Sequence, residues 1–397
     1  MLTRIYLEHF KCFRNLKLHL APLTLLSGTN ATGKSTVLQA LAILHQTIIE
    51  NEWSESLILN SETISLGTTG DVIDKLTGRR EFKIGLDGEN FESLWIMEAS
   101  DRFSLSSPVK HITWREANNW ERIEINLNGD NGQRLHYLLP ADVISTSPNA
   151  RQLAGLLSTL TYISADRFGP RETYSISSPV QHQNVGPRGE RTPWFLEHFA
   201  TSEPVEGLVR AEAPPTLQRQ TEAWLQHFFP GASFDIQPVP NANLVTMGIR
   251  TSPATDFHRP QNVGYGLTHI LPILAACLGA KEHDLIMVEN PESHLHPSGQ
   301  SEMGEFFSLC AASGLQIILE THSDHILNGI RRAVKKKVIR PEQVAIHFFK
   351  PRQEIENDQS NQVISPLVNQ EGNLSEWPED FFDQFDKDID FLIGWES

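Results

Sequence analysis

Leu25-Leu26-Ser27-Gly28-Thr29-Asn30-Ala31-Thr32-Gly33-Lys34-Ser35-Thr36 is the stretch that decides the fold. Gly28 to Ser35 spells G-x-x-x-x-G-K-S, a loop whose backbone N–H groups cradle phosphates. In that pattern Lys34 reaches the β- and γ-phosphates and the Ser35 hydroxyl ligates Mg²⁺. The motif carries weight only between a strand and a helix. Leu23, Leu25 and Leu26 supply a short apolar run before it, and Val37, Leu41, Leu44 and Ile48 recur at helical spacing after it. The start of such a helix aims unpaired N–H groups and the positive end of its dipole at bound phosphate. A chance match in a glycine turn is the competing reading, and both flanking elements weigh against it. The stretch marks a nucleotide site, with Gly28, Asn30, Thr32, Gly33, Lys34, Ser35 and Thr36 as its residues.

At 397 residues the chain has length for one large domain or two to three ordinary ones. Its 39% hydrophobic and 21% charged residues are ordinary for a globular protein. A net charge of −16 argues against a broadly basic nucleic-acid-coating surface, though not against a local basic groove. Cys12, Cys277 and Cys310 show no pairing or metal-like spacing and read as small apolar residues in a reducing compartment. The N-terminus has no secretory pattern, and the longest apolar run, Ile270 to Leu278, contains Pro272 and is too short to cross a membrane. A cytoplasmic protein without a membrane partner is expected.

Residues 1–27 read as antiparallel strands, with Leu16, Leu18 and Leu20 alternating with Lys17 and His19. Between them Phe10-Lys11-Cys12-Phe13 is either a turn with two buried aromatics or a place from which Lys11 or Arg14 reaches the nucleotide. Residues 52–75 contain the turn-rich loop Leu66-Gly67-Thr68-Thr69-Gly70-Asp71. Strand-like pieces follow at Phe82–Leu86, Leu94–Met97, Ile123–Leu127 and Leu135–Leu139, with turns such as Asn128-Gly129-Asp130-Asn131-Gly132. Near Tyr162-Ile163 a strand ends in a loop bearing Arg167 and Arg171, which either stabilise phosphate charge or form structural ion pairs. Residues 175–255 are rich in Pro, Gly and Gln, with one clear helix from Leu217 to Phe229. The chain thus divides into 1–75 (first half of the core), 76–150 (β-rich lobe), 151–255 (partly helical insertion), 256–350 (second half of the core) and 351–397 (acidic, aromatic tail).

The second half carries its own signals. Gly264, Gly266 and Thr268 open an apolar helix that runs through Leu278. Leu285-Ile286-Met287-Val288 reads as a strand of a parallel sheet ending in Glu289-Asn290-Pro291-Glu292-Ser293-His294-Leu295-His296-Pro297. P-loop enzymes place a Mg²⁺-holding carboxylate at such a strand end, where Glu289 stands. Leu315–Leu319 is a further apolar strand, ending in Glu320-Thr321-His322-Ser323-Asp324-His325. The histidines and glutamates here match no zinc spacing, and Mg²⁺-nucleotide chemistry explains them better. Arg331-Arg332 and Lys335-Lys336-Lys337 read as a solvated basic face or as a nucleic-acid or partner contact.

Gly28–Ser35, Glu289–Pro297 and Glu320–Asp324 together resemble the Walker A, Walker B with D-loop, and switch-histidine segments of ABC-type ATPase heads. The SMC/RecF/OLD-like branch of AAA-family ATPases is similar in placing E-x-H-L-H-P after Walker B and T-H-S at the switch. The tail, Trp377-Pro378 to Phe381-Phe382-Asp383, looks like that of a bacterial subgroup associated with antiphage defence. The resemblance covers roughly half the chain and implies an α/β fold: an ABC-type P-loop NTPase head with an N-terminal antiparallel β lobe and a mixed insertion. It implies ATP and Mg²⁺ as cofactors, with Lys34, Ser35 and Thr36 on phosphate and metal and Glu289 as the metal carboxylate. His322 would sense the γ-phosphate, and Ser293 to His296 would line a dimer interface. Gly264, Gly266 and Thr268 would bind the γ-phosphate of a nucleotide held by a second copy.

Two departures stand out. The signature is not L-S-G-G-Q, which argues against a transporter ATPase. The position after Glu289, where the resemblance implies a catalytic glutamate, is Asn290. An amide orients water but accepts no proton, and losing a general base costs on the order of 10²–10⁴ in rate. Either Glu292, Glu320 or His322 substitutes, or hydrolysis is slow. The expectation is an ATPase subunit that forms a homodimer or higher homo-oligomer around ATP and regulates a separate effector, plausibly a nuclease, in antiphage defence. A DNA-repair or chromosome-maintenance ATPase that binds nucleic acid and a non-hydrolysing ATP-sensing scaffold are the alternatives.

Overall fold

The computed structural model describes every residue except 77, 117–122, 127–133, 180–182, 352–361, 379–383 and 394–397. The turn expected at Asn128–Gly132 and the tail residues Phe381, Phe382 and Asp383 therefore lie outside the described residues.

The alternation of the first 20 residues folds into a hairpin of β1 (Leu2–Phe10) and β2 (Phe13–His19), with Leu7 opposite Leu16 and Phe10 opposite Phe13. The chain then leaves for a second sheet through β3 (Leu23–Gly28), the phosphate loop and α1 (Lys34–Glu50). It returns by β4 (Ser56–Ile58) and a single turn, α2 (Thr69–Val72), held by a capping box between Thr68 and Asp71. β5 (Glu81–Gly88), β6 (Phe91–Glu98), β7 (Ser106–Glu116) and β8 (Ile123–Asn126) complete a seven-stranded antiparallel sheet in the order β2-β1-β5-β6-β7-β4, with β8 on β7. β1 pairs on both sides, so one sheet joins residues on either side of the boundary expected at 75/76. β7 was not among the expected strands; its Ser-Ser-Pro-Val-Lys-His opening lacks an apolar alternation, and its pairing with β6 supplies the order that the local pattern does not.

A short hairpin of β9 (Leu135–His136) and β10 (Leu139–Pro140) leads into α3 (Ala141–Thr146) and α4 (Pro148–Thr159), the latter capped by Ser147 Oγ. β11 (Thr161–Ile163), within the stretch expected as an insertion at 151–255, pairs with β15 at the edge of the parallel sheet. The remainder of that insertion is β12 (Tyr174–Ser175), α5 (Thr192–His198), α6 (Leu217–Phe228), β13 (Ser233–Pro238) and β14 (Leu244–Arg250), with the strands in a small sheet β12-β14-β13.

α7 (Tyr265–Gly279), β15 (Leu285–Glu289), α8 (Pro297–Ala312), β16 (Gln316–Glu320), α9 (Asp324–Lys335), β17 (Val344–Phe349) and β18 (Val363–Ile364) close the core, and α10 (Gln384–Ile393) follows. The six-stranded sheet runs β11-β15-β16-β3-β17-β18, parallel except for β18. Its continuous apolar strands are buried on both faces. Ile286, Val288, Ile317 and Leu319 face a core shared with α7, α8 and α9, whereas Leu285, Met287 and Ile318 face one shared with α1 and α4. This strand parity decides which strand-end side chains can meet the phosphate loop. Among the described residues no helix is long and apolar enough to cross a membrane.

Candidate nucleotide site

β3 delivers the chain to the loop with Gly28 at φ +137°, Ala31 at +61° and Gly33 at +104°. Gly33 is obligatory in space as well as in conformation: a Cβ there would lie 2.5 Å from both Cys12 Sγ and the Phe13 ring. The β1–β2 turn thus forms a buttress under the phosphate loop, with Phe10 and Phe13 fully buried and Lys11 Nζ donating to Gln39 Oε1 on α1 at 2.6 Å. Asn30 and Ala31 form the exposed tip, while the buried Thr32 hydroxyl donates to Thr29 O at 2.8 Å. Lys34 is buried, and its ammonium donates to Gly28 O at 3.1 Å and Thr29 O at 2.7 Å. Burial lowers its pKa, opposed by the charge of Glu320.

Two strand-end carboxylates, Glu320 and Glu289, follow from the adjoining strands. Ser35 Oγ donates to Glu320 Oε1 at 2.9 Å. Glu320 and Glu289 are register partners on β16 and β15, and Glu320 is the partner of Leu26 on β3. Burial, reinforced by the Glu289 charge, raises the Glu320 pKa to about 7. Glu289 itself accepts from Tyr162 Oη at 2.8 Å and from Ala165 N at 3.1 Å. Glu289, the carboxylate expected to hold the metal, stands one strand from Glu320, whose carboxylate accepts from the Ser35 hydroxyl.

Asn290 sits at φ +44°, a left-handed conformation that asparagine tolerates better than glutamate. Its N–H donates to Glu320 O at 2.8 Å, and its carbonyl accepts from Arg167 Nη2 at 2.6 Å. Arg167 also donates to Glu289 O at 2.8 Å; it is buried, and burial lowers its pKa to about 10. Of the two readings for the arginine loop, Arg167 takes the structural one, clamping the turn after β15. Arg171 and Arg188 stack on Phe168, 3.8 and 4.6 Å from its ring centre.

Glu292 accepts from Thr321 Oγ1 at 2.7 Å and from His322 N at 2.9 Å, so both carboxylate oxygens brace the turn that presents His322. His322 is an exposed residue whose ring is partly desolvated, which together with the charge of Lys34 lowers its pKa. Gly264 is exposed at the start of α7, whereas Gly266 and Thr268 are buried in its first turn. A Cβ at Gly266 would lie 2.8 Å from His294 O, and Thr268 Oγ1 donates to Tyr265 O at 3.0 Å. Among the described residues no hydrogen bond joins this segment to the phosphate loop. His294 and His296 are exposed beside it.

The donor set fits a Mg²⁺-nucleotide. Thr29 Oγ1, Asn290 Oδ1 and Glu320 Oε2 are buried without a hydrogen-bond partner among the described residues, an arrangement that costs free energy unless a ligand meets them. No three His, Cys, Asp or Glu side chains among the described residues form a metal cluster of their own. A cation here needs phosphate oxygens to complete its shell.

Comparison with known proteins agrees with this geometry. The chain resembles a solved Smc head bound to the C-terminal winged-helix domain of ScpA, at 12% identity, with 92% of this chain and 98% of that one covered and a TM-score of 0.56. It also resembles an Smc head with an extended coiled coil, bound to the C-terminal domain of ScpA, from Pyrococcus furiosus (10% identity, 100% and 99% covered, TM-score 0.54). At such identities the likeness concerns the fold, which is that of an SMC-type ATPase head. No curated protein matches the sequence. Residues 339–392 match a protein family of unknown function, DUF3696. Residues 23–328, more than three-quarters of the chain and spanning both halves of the site, match the model described as "AAA domain, putative AbiEii toxin, Type IV TA system", and the chain belongs to that AAA family.

Proposed function

We propose that this chain is an ATP-binding, slowly hydrolysing ABC-type subunit that closes as a dimer around ATP and gates a separately encoded effector, a nuclease, in bacterial defence. The observation that carries the reading is the phosphate loop with Lys34 buried behind it and Ser35 hydrogen-bonded to a strand-end carboxylate. Mg²⁺ bound there would neutralise charge on the β- and γ-phosphates. Lys34 would exchange its carbonyl partners for phosphate oxygens, and His322, presented by Glu292, would meet the γ-phosphate. Gly264, exposed at the start of α7, would meet the nucleotide of a second copy, with Gly266 and Thr268 buried behind it. The family description, which names a toxin of a toxin–antitoxin system, supports the defence role.

Slow turnover is favoured by Asn290, whose left-handed backbone and double backbone clamp suit an amide and provide no base. Glu292, engaged twice, is poorly placed to substitute. The DNA-binding alternative gains little from the basic run. Arg332 and Lys336 pair with Glu305 at 3.0 and 2.7 Å, and Arg331 stacks over Trp377. The test is ATP affinity measured beside ATP turnover for the wild type, Lys34→Ala and Asn290→Glu. Tight binding with little turnover, binding lost in Lys34→Ala and turnover raised in Asn290→Glu support the reading. Absence of ATP binding by the wild type refutes it.

A further inference from the structure

We infer that the outer face of the antiparallel sheet carries a second ligand site, centred on Gly85, for a small organic anion. Arg115 and Thr113 hold its phosphate or carboxylate, and its body lies between Tyr6 and Leu94. The inference does not rest on the nucleotide reading above.

Strand parity sets the site on the face turned away from α1. Ile5, Ile84 and Trp95 are buried in the core shared with that helix, so Tyr6, Gly85 and Leu94, each one residue along, belong to the opposite face. Register places Lys17, Tyr6, Gly85, Leu94 and Thr113 side by side in one row across β2, β1, β5, β6 and β7. The next row on that face is Arg4, Asp87, Glu92 and Arg115. Gly85 is the one gap in the first row. A glycine inside a strand weakens the sheet and often marks the close approach of a ligand. Here the missing side chain opens a cavity of about 430 Å³ between the two rows, a volume within the range of small-molecule sites.

Two groups lining this cavity are left without partners. The Thr113 hydroxyl and Arg115 Nε are buried and make no hydrogen bond among the described residues, and Thr113 as a whole is only 7% exposed. Two residues apart on one strand, they share a face and offer donors to the same space. Buried donors without acceptors cost free energy that an anionic oxygen would recover. The other cations are committed differently. Arg4 pairs with Asp87 at 3.1 Å, Lys83 with Glu8 at 3.1 Å, and Lys17 lies over the Tyr6 ring, 5.7 Å from its centre. Arg115 Nη1 is 3.5 Å from Glu92 Oε2, beyond hydrogen-bonding length. Four cations and two carboxylates line the cavity, so its field favours an anion. A DNA duplex laid across the rows would meet Asp87 and Glu92 between the cations. A compact ligand places its charge on Arg115 and Thr113 and offers a hydroxyl or amine to the carboxylates.

The test titrates phenyl phosphate and benzoate, two head groups on one ring, into the full chain by calorimetry. The proteins are the wild type, Lys34→Ala, Arg115→Gln, Thr113→Val and Gly85→Leu. At least one probe should bind the wild type with a Kd of about 1 mM or tighter, which a ligand of this size reaches. Lys34→Ala should keep that affinity within about twofold, because the phosphate loop is a separate site. Arg115→Gln should weaken it by about tenfold or more, Thr113→Val by about threefold or more, and Gly85→Leu should abolish it by filling the cavity. Should Gly85→Leu misfold, Arg115→Gln and Thr113→Val decide the matter. Binding lost in Lys34→Ala but kept in Arg115→Gln would put the probe at the phosphate loop and overturn the proposal. A wild type that binds neither probe overturns it as well. Displacement of the bound probe by duplex DNA would assign the face to nucleic acid and likewise overturn it.

Discussion

Replacing Glu320 by Gln should make the ligand-free protein more stable, and increasingly so as pH rises. The carboxyl is buried against Ser35 and faces the Glu289 charge, which raises its pKa from 4.5 to about 7. Between those values the folded chain retains a proton that the unfolded chain has released, so stability falls as pH rises through that window. At 1.36 kcal/mol per pH unit, the full loss above pH 7 is about 3 kcal/mol. Gln keeps the shape and can still accept from Ser35, but it cannot ionise. Urea unfolding of both proteins without nucleotide or metal at pH 5, 6, 7 and 8 isolates the effect, because every other titrating group is common to the two. The curves should lie within about 1 kcal/mol at pH 5 and separate by about 3 kcal/mol at pH 8, with the variant the more stable. A constant difference across that range, or a wild type that gains on the variant as pH rises, would refute the argument that burial beside Glu289 governs this carboxyl.

Arg167→Met should destabilise by about 3–5 kcal/mol in the same unfolding assay, because it strips two charge-assisted donors from the buried Glu289 and Asn290 carbonyls; a loss under about 1 kcal/mol would contradict the clamp. Gly33→Ala should abolish ATP binding in a direct titration, since its Cβ would strike Cys12 and Phe13 at φ +104°; wild-type affinity would show that the loop rearranges freely. Asn290→Glu should cost about 1 kcal/mol of stability through its left-handed backbone while raising single-turnover hydrolysis, so lower stability with no gain in rate would mean that the missing base is not what limits turnover.

The sheet framework was legible in the sequence because its signals are local. Alternation in Leu16-Lys17-Leu18-His19, apolar runs at Leu285–Val288 and Leu315–Leu319, and glycines around Lys34 each report on their own few residues, and each became the element expected. Register and strand order are set by long-range packing and were not legible. Nothing in Leu315–Glu320 says that this strand separates β15 from β3, or that it brings Glu320 to the Ser35 hydroxyl. The strand ending at Tyr162-Ile163 was legible, but its pairing with β15 in the parallel sheet was not. The same limit left Arg167 undecided, since an arginine in a loop has the same local signature whether it clamps a backbone or meets a phosphate.

The central claim is that ATP closes two copies of this chain, with the phosphate loop of one and the Gly264–Thr268 segment of the other meeting the same nucleotide. Sedimentation of the wild type and Lys34→Ala, each with Mg²⁺-ATP, with Mg²⁺-ADP and without nucleotide, tests it most directly. The account predicts a wild-type dimer with Mg²⁺-ATP alone and no ATP-driven association of Lys34→Ala. A wild type that binds ATP yet keeps the same mass in all three conditions would contradict it.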